Sequence, residues 1–273
     1  MKQSFYLNIL LILLLIYGCH KSENPEPVDH TPEGYVLKWS DEFNYKGLPD
    51  PSKWSYDIGG SGWGNNEAQY YTDARLSNSE VKDGYLYIKT IKEDFEGKKY
   101  TSARLVTRLK GDWLYGRIEV KAKLPQGRGM WPAIWMLPTD MAYGGWPLSG
   151  EIDIMESLGH IPYFVAATAQ TQSYNHLQGT QKNAILAVAD CYTQFHDYIL
   201  EWDTSEMKFY VDSKLYFTFK KEVGDFRVWP FDQTFHLILN VAVGGTYGGA
   251  MGIDDSIFPQ SLVVDHVRVY QKK

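Results

Sequence analysis

Short runs that alternate apolar and polar residues recur along most of this chain, whereas long stretches with helical periodicity are nearly absent. Successive side chains of a β-strand point to opposite faces, so a period of two is typical of strands. Turn sequences such as Asp83-Gly84 and Gly244-Gly245 separate the runs. A weak pattern at 182–188 predicts one short helix. We interpret ten runs as strands: 85–91, 102–108, 116–124, 133–137, 150–157, 198–202, 208–211, 215–220, 235–243 and 262–270.

Many strands without alternating helices favour an antiparallel sandwich over a parallel sheet. We therefore predict an all-β fold of two antiparallel sheets, with a cleft on the concave face. Residues 35–273 show no linker, repeat or change of composition, and we interpret them as a single domain.

The first 34 residues have a different character. Residues 1–18 carry Lys2 and a short apolar run, as a signal peptide does, and the run is too short for a comfortable membrane span. The run closes on Ile16-Tyr17-Gly18-Cys19, which resembles a bacterial lipobox with an unusual Tyr17, so we expect Cys19 to be lipidated. Residues 19–34 are polar and proline-rich and predict a disordered tether. The expected location is the cell envelope, lipid-anchored in the outer membrane or at the cell surface, and secretion is the alternative.

Composition limits the partners. The formal net charge is −6, which argues against nucleic acid and against a polybasic membrane patch, so a membrane would be reached only through the N-terminal lipid. Aromatic residues make up 15% of the chain, with 9 Trp and 20 Tyr, which suits a surface that stacks on flat sugar rings, although a Trp-rich core is the alternative for many of them. Once Cys19 is modified, Cys191 is left without a disulfide partner and is expected to be a buried structural thiol. We expect a monomer.

The segment Gly150-Glu-Ile-Asp-Ile-Met-Glu-Ser157 contains three acids in six residues. In a strand, Glu151 and Asp153 share one face, while the odd offset of Glu156 would put it on the other. A β-bulge at Ile154-Met155 would bring Glu156 back to the face of the other two acids, and bulges are common beside active sites.

Crowded acids raise one another's pKa, a cost that a chain rarely carries for stability alone. Two carboxylates about 5–5.5 Å apart are what a retaining glycosidase needs, one to attack the anomeric carbon and one to protonate the leaving oxygen. Asp153 between them can hold a proton that keeps their pKa values apart. An exposed strand face with solvated acids is the alternative interpretation.

Two neighbouring segments carry further candidates. Trp131 and Trp135 lie four residues apart, so in an extended strand both rings face the same way, as successive sugar platforms would require. Taken singly, each would be interpreted as a core residue. The glycine-rich loop at 57–72 allows close backbone approach, and its Asn, Gln and Glu side chains can read hydroxyl groups, although a mobile surface loop has a similar composition.

Together these segments resemble glycoside hydrolase family 16, and within it the laminarinase-like (endo-β-1,3-glucanase) branch. The motifs that carry the resemblance are G-E-I-D-I-M-E, W-P-A-I-W-M-L-P, G-W-G-N-N-E-A-Q-Y-Y-T and F-P-Q-S-L-V-V-D-H-V-R-V-Y, and it covers nearly all of residues 35–271. The resemblance implies a β-jelly roll with Glu151 as nucleophile, Glu156 as acid/base and Asp153 as helper. It also implies glucan contacts at Asn65, Arg104, Trp131, Trp135 and Trp146.

The resemblance implies no cofactor for catalysis but a structural calcium ion on the convex side, held by Glu42, the backbone carbonyl of Gly84 and Asp265; surface acids are the alternative for Glu42 and Asp265. The chain departs from the family pattern at Gln170, where relatives often have a histidine near the acid/base. We interpret the nearby His176 as a surface loop residue.

The expected function is retaining endo-hydrolysis of β-1,3-glucan (laminarin). The alternatives are the same chemistry on mixed-linkage β-1,3-1,4-glucan or on a marine galactan, and a non-catalytic glucan-binding protein. Non-catalytic relatives typically lose the two glutamates, and galactan-active relatives usually lack the glycine-rich loop.

Overall fold

The computed structural model describes residues 31–273, which cluster as one unit built almost entirely of strands. Within these residues a single turn of α-helix, α1 (Gly245–Gly248), and a 3₁₀ turn (Asp255–Ile257) are the helical elements. The strands, in chain order, are β1 (Tyr35–Asp41), β2 (Ser55–Tyr56), β3 (Gln69–Tyr71), β4 (Ser79–Lys82), β5 (Tyr85–Phe95), β6 (Lys98–Ser102), β7 (Arg104–Val106), β8 (Asp112–Trp113), β9 (Gly116–Lys123), β10 (Met130–Pro138), β11 (Glu151–Glu156), β12 (Phe164–Gln170), β13 (Lys182–Ala187), β14 (His196–Trp202), β15 (Glu206–Val211), β16 (Lys214–Lys220), β17 (Phe235–Val243) and β18 (Gln260–Lys272).

The strands form two sheets. The first has the order β16-β15-β14-β9-β18-β5-β6-β3, with β1 added on β18 and β4 on β5. The second has the order β13-β12-β11-β10-β17-β7-β2, with β8 added on β17. Every pairing is antiparallel except that of β3 with β6. The predicted all-β, two-sheet architecture is confirmed.

The core lies between the inner faces of the two sheets. Along β9 the side chains alternate strictly: Ile118, Val120 and Ala122 are fully buried, while the charged residues between them point outward. All nine residues of β17 are buried, because it lies in the middle of the second sheet between β10 and β7 and is covered on its outer face as well. Removing this apolar surface from water stabilises the sandwich, at about 25 cal/mol for each Å² buried.

All ten predicted strands overlap observed ones, and 235–243 coincides with β17. The predicted short helix at 182–188 is wrong, since Lys182–Ala187 forms β13 at the edge of the second sheet. Its six residues alternate between half-buried and exposed, and the open edge of β12 provides the hydrogen-bonding partner. Pairing with a neighbouring strand therefore outweighs a weak local helical preference.

The prediction of a buried Cys191 is confirmed, because its side chain is 0% exposed in the core. None of the helices in residues 31–273 combines the length and apolar character needed to cross a membrane. The signal peptide (1–18), Cys19 and most of the predicted tether (19–34) lie outside the described residues.

Candidate active site

Three acids of β11 line one cleft on the outer face of the second sheet. Glu151, Asp153 and Glu156 all border this cleft, with β10 and β12 on either side of their strand. Ile152, between the first two acids, is fully buried in the core. The predicted alternation, with acids on the cleft side and the apolar residue on the core side, is confirmed.

A β-bulge brings the third acid to the same wall. The register of β11 on β12 shifts between Asp153 and Glu156, and the register on β10 shifts beside the same segment. Ile154 and Met155 are both buried in the core, at 1% and 0% exposure. The bulge predicted from the spacing is confirmed, and it re-aims Glu156 in the way that bulges beside active sites do.

A glycine fixes the entry into β11. Gly150 has a φ of +82°, a region that side chains disfavour, and a Cβ atom at this position would lie 2.7 Å from Cγ of Pro230. Any other residue would have to push this turn away from Pro230. Because Glu151 follows directly, the tight turn sets where its carboxylate enters the cleft.

Burial and mutual repulsion dominate the electrostatics of the acids. Burial raises the pKa of Glu151, and the charge of Glu156 raises it further. Burial likewise raises the pKa of Glu156, and burial followed by the charges of both glutamates raises the pKa of Asp153 well above its ordinary value. Burial and the repulsion among three negative charges favour protonated carboxyl groups in the cleft, and Asp153 feels the charges of both glutamates.

The hydrogen-bond donors are shared unequally between the two glutamates. Glu151 accepts a 2.7 Å hydrogen bond from the side-chain amide of Gln170, and the guanidinium of Arg104 also lowers its pKa. Glu156 accepts a 2.9 Å hydrogen bond from the indole N–H of Trp131, which lowers its pKa. Burial and the charge of Glu156 outweigh these donors and raise the pKa of Glu151 to about 8, so the hydrogen-bond partners distinguish the two glutamates without assigning the nucleophile and the acid/base.

The two tryptophans of β10 lie on the cleft face, as their spacing predicts. Trp131 is half-buried and contacts Tyr247 of α1 edge-to-face, with ring centroids 5.5 Å apart. The indole N–H of Trp135 donates to Asn240, at 2.7 Å. Neither ring lies in the core between the sheets, so the alternative interpretation of both as core residues is wrong.

Arg104 is sandwiched between two aromatic rings. Its guanidinium lies 4.6 Å from the ring centroid of Trp63 and 4.7 Å from that of Trp135. The side chain is 9% exposed and pairs with Asp57 at 3.1 Å. Cation–π contacts of this kind stabilise by about 0.5–2 kcal/mol. Arg104 therefore covers one face of Trp135 and supplies positive charge to the cleft wall.

Comparison with known proteins decides the family. The family model "Glycosyl hydrolases family 16" matches residues 63–256. The chain belongs to glycosyl hydrolase family 16. A β-glucanase from Rhodothermus marinus is 51% identical over 269 residues, which is 95% of this chain and 93% of that protein. The solved laminarinase from Rhodothermus marinus is 54% identical with a TM-score of 0.87, over 88% of this chain and 98% of its own. A solved non-specific endo-β-1,3(4)-glucanase is 46% identical with a TM-score of 0.84, over 89% of this chain and 93% of its own.

The other predicted glucan contacts of this family 16 chain lie around the same cleft. Asn65, in the glycine-rich loop, borders it, and its backbone carbonyl accepts a 2.7 Å hydrogen bond from the backbone N–H of Thr246. Trp146 follows β10 in the loop that leads into β11. Its indole N–H is buried without a hydrogen-bond partner among the described residues, and its ring packs on His176 at the edge of the cleft. The site residues predicted on the second sheet and on the glycine-rich loop therefore converge.

Sequence reasoning misplaced two residues of the cleft. Gln170 pairs with Glu151 across β11 and β12 and bonds to its carboxylate, so the expectation that it lies beside the acid/base is corrected to a place beside the predicted nucleophile. His176 belongs to an exposed loop, as expected, but it borders the cleft, bonds to Gln170 at 2.7 Å and packs on Trp146. The register of β11 on β12 creates the contact between Gln170 and Glu151, and the turn after β12 brings His176 back onto Gln170.

A buried polar network behind the tryptophans of β10 was also not predicted from the sequence. Glu67 accepts hydrogen bonds from Gln69 at 2.6 Å and from the hydroxyl of Tyr71 at 3.2 Å. Tyr71 in turn accepts from the amide of Asn240, which holds Trp135. The signal that could have revealed it is the N-N-E-A-Q-Y-Y segment, whose alternate residues face inward once the loop enters β3.

The residues predicted to hold calcium lie in or beside strands of the first sheet, whereas the acids of the cleft belong to the second. Asp265 lies in β18, between Val264 and Val267. Val264 pairs with β5 just after the Gly84 turn, and Val267 pairs with the end of β1 just before Glu42. The strand register thus gathers the three residues at one corner. Two hydrogen bonds from Arg268, at 2.8 and 2.9 Å, occupy the carboxylate of Glu42. An ion bound through that carboxylate must displace the guanidinium, and calcium stays a prediction.

Proposed function

We propose that this family 16 enzyme is a retaining endo-hydrolase of β-1,3-glucan, with Glu151 as nucleophile, Glu156 as acid/base and Asp153 as their helper. The observation that carries the assignment is the bulge in β11, which puts both glutamates on one cleft wall. A carboxylate pair on one wall, with different hydrogen-bond partners, is the arrangement that double-displacement chemistry requires.

In the first step a carboxylate oxygen of Glu151 attacks the anomeric carbon, while Glu156 gives its proton to the glycosidic oxygen. The electron pair of the breaking C–O bond stays with the leaving sugar, and a covalent glycosyl-enzyme forms. In the second step Glu156 takes a proton from water, the hydroxide attacks the anomeric carbon, and Glu151 leaves as a carboxylate. Asp153, with its raised pKa, provides a proton store between the two.

Three features support a β-1,3-glucan as the substrate. The relatives include a β-glucanase and a laminarinase that are each more than half identical to this chain. Trp131 provides an aromatic platform beside Glu156, which suits stacking of a sugar ring. The polar side chains that line the remaining cleft, Asn65, Thr168, Gln181 and Asn183, suit hydroxyl groups.

Mixed-linkage glucan is the second candidate. The solved non-specific endo-β-1,3(4)-glucanase at 46% identity is the observation that favours it. A cleft that reads one β-1,3 bond beside the scissile linkage can accept both polymers. We therefore expect laminarin to be cleaved best, lichenan more weakly and cellulose not at all.

A substrate panel tests the proposal. The domain is incubated with laminarin, lichenan, cellulose, agarose and carrageenan, and the products are identified by chain length over time. Early release of mixed oligosaccharides from laminarin is the expected result. Cleavage of agarose or carrageenan in preference to laminarin, or binding of laminarin without any products, would contradict it.

We also propose that Cys19 carries a lipid that holds a monomeric enzyme at the cell envelope. The lipobox-like segment and the polar tether after it support this location.

A further inference from the structure

The side chain of Gln170 lies between Glu151 and His176 and bonds to both. Its Nε2 donates to Oε1 of Glu151 at 2.7 Å. Its Oε1 accepts from the backbone N–H of His176 at 3.2 Å and lies 2.7 Å from Nδ1 of the same residue. Gln170 is only 7% exposed, so little water competes for these bonds.

The direction of this chain of hydrogen bonds is fixed by chemistry. A backbone N–H can only donate, so the oxygen of the Gln170 amide must face His176 and the NH₂ group must face Glu151. Nδ1 of His176 then meets an acceptor oxygen and must carry a hydrogen. The imidazole tautomer is therefore set as well, with the hydrogen on Nδ1 and Nε2 left as an acceptor when the ring is neutral.

The exposed His176 is held in place from two directions. Its loop is anchored by Asn175, a residue 2% exposed whose side-chain amide donates to the backbone carbonyls of Thr171 and Gln172 at 3.1 Å each. On its other side, the imidazole packs against the indole of Trp146 with ring centroids 5.0 Å apart. The loop after β12 and the loop before β11 thus meet at this histidine.

We propose that Gln170 and His176 are positioning residues that orient the nucleophile, His176 by fixing the amide of Gln170 and Gln170 by fixing one oxygen of Glu151. The inference rests on the proposed function. With Oε1 tied to the amide, the other carboxylate oxygen is left to attack the anomeric carbon. An amide does not titrate, so this donor is present at every working pH, unlike a histidine in the same place.

Several groups face Glu151 and together set its protonation. Asp153 and Glu156 come from its own strand, Arg104 from β7, Gln170 from β12 and Trp146 from the preceding loop. Gln170 is uncharged and donates a hydrogen bond to Glu151 from the neighbouring strand β12. Removing its N–H therefore leaves the charges unchanged but makes the ionised form of Glu151 less stable.

The test measures kcat/KM against pH for an aryl β-laminarioligosaccharide whose good leaving group needs little help from Glu156. Gln170→Leu should lower kcat/KM about tenfold to a hundredfold and move the acidic limb to higher pH. His176→Ala should lower it about threefold to tenfold, with a limb shift in the same direction. Gln170→His, which restores an N–H donor, should recover much of the activity.

The matched control is Gln178→Ala, an exposed residue of the same loop, which should leave the profile unchanged. The double variant Gln170→Leu/His176→Ala decides between positioning and simple loss of packing. If His176 acts through Gln170, the double variant is no worse than Gln170→Leu alone.

The inference would be overturned if the activity losses of the two single variants multiply in the double variant. A loss of activity in His176→Ala with no shift of the acidic limb would also overturn it. If the wild type is active and the Gln170 and His176 variants behave like Gln178→Ala, this inference alone is refuted. A wild type that does not hydrolyse any glucan would instead refute the proposed function.

Discussion

At the scale of the residue, the indole nitrogen of Trp131 controls the proton of Glu156. Its N–H stabilises the charged form of that carboxyl group and so lowers a pKa that burial has raised. Trp131→Phe keeps an aromatic platform but removes the donor, so the pKa of Glu156 should rise. Because the acid/base must be protonated for the first step, the basic limb of kcat/KM should move to higher pH.

Trp135→Phe is the matched control for that measurement. It removes an indole N–H from the same strand and the same face, but this N–H bonds to Asn240 rather than to an acid. The basic limb should not move in this variant. Equal shifts in both variants, or a shift to lower pH in Trp131→Phe, would contradict the assignment of Glu156 as the acid.

Asp153 should make the protein less stable as the pH rises. Burial and two neighbouring acids raise its pKa in the folded state, so the folded protein holds a proton that the unfolded chain releases above about pH 4. The stability that this group provides is present below that pH and is lost as the pH rises towards the folded pKa, by about 1.4 kcal/mol for each pH unit.

Asp153→Asn removes this loss, because an amide does not ionise. The Tm of the variant should match the wild type near pH 4 and exceed it by a growing margin up to pH 7, at about 2–4 °C for each kcal/mol. Thermal unfolding across that range measures the effect. A variant that is less stable than the wild type at pH 7, with the same slope, would show that Asp153 is ionised and stabilising.

At the scale of the element, the corner formed by β1, β18 and the turn before β5 is the predicted calcium site. Calcium in excess should raise the Tm and EDTA should lower it. An ion that binds the folded state stabilises it by about 2.7 kcal/mol when the free ion concentration is 100 times the Kd. Asp265→Ala should lose the response, and Asp94→Ala, an exposed acid of β5, should keep it. Equal melting in calcium and EDTA would rule the site out.

The strands show what pattern reasoning can and cannot reach. Alternation was enough to locate β9 and β11 and to foresee the bulge, and a continuous apolar run located β17, because each signal lies within one strand. β12 was not predicted, because three of its seven residues are alanine, which is depleted in strands, and its sequence does not alternate. Edge strand β13 was taken for a helix because its weak local pattern does not reveal its pairing with β12. The contacts of His176 were missed because they depend on how the loop after β12 folds back onto Gln170 and meets Trp146.

At the scale of the whole molecule, anchoring and catalysis should be separable. If Cys19 is lipidated, the wild type expressed with its own leader partitions into detergent, and Cys19→Ala releases a soluble enzyme. The cleft is built from residues 63–247, far along the chain from Cys19, so the kcat/KM of the released enzyme should equal that of the wild type. A wild type recovered entirely in the soluble fraction would argue for simple secretion.

The central claim is that Glu151 and Glu156 divide the chemistry as nucleophile and acid/base, and azide rescue tests it most directly. Glu156→Ala is incubated with an aryl β-laminarioligosaccharide, whose leaving group needs no acid, and with sodium azide. Glu151 should still form the glycosyl-enzyme, and azide should then attack the face opposite to Glu151. The account predicts a restored rate and a β-glycosyl azide, identified by the coupling of its anomeric proton in NMR. An α-glycosyl azide from this variant, or rescue of Glu151→Ala but not of Glu156→Ala, would contradict it.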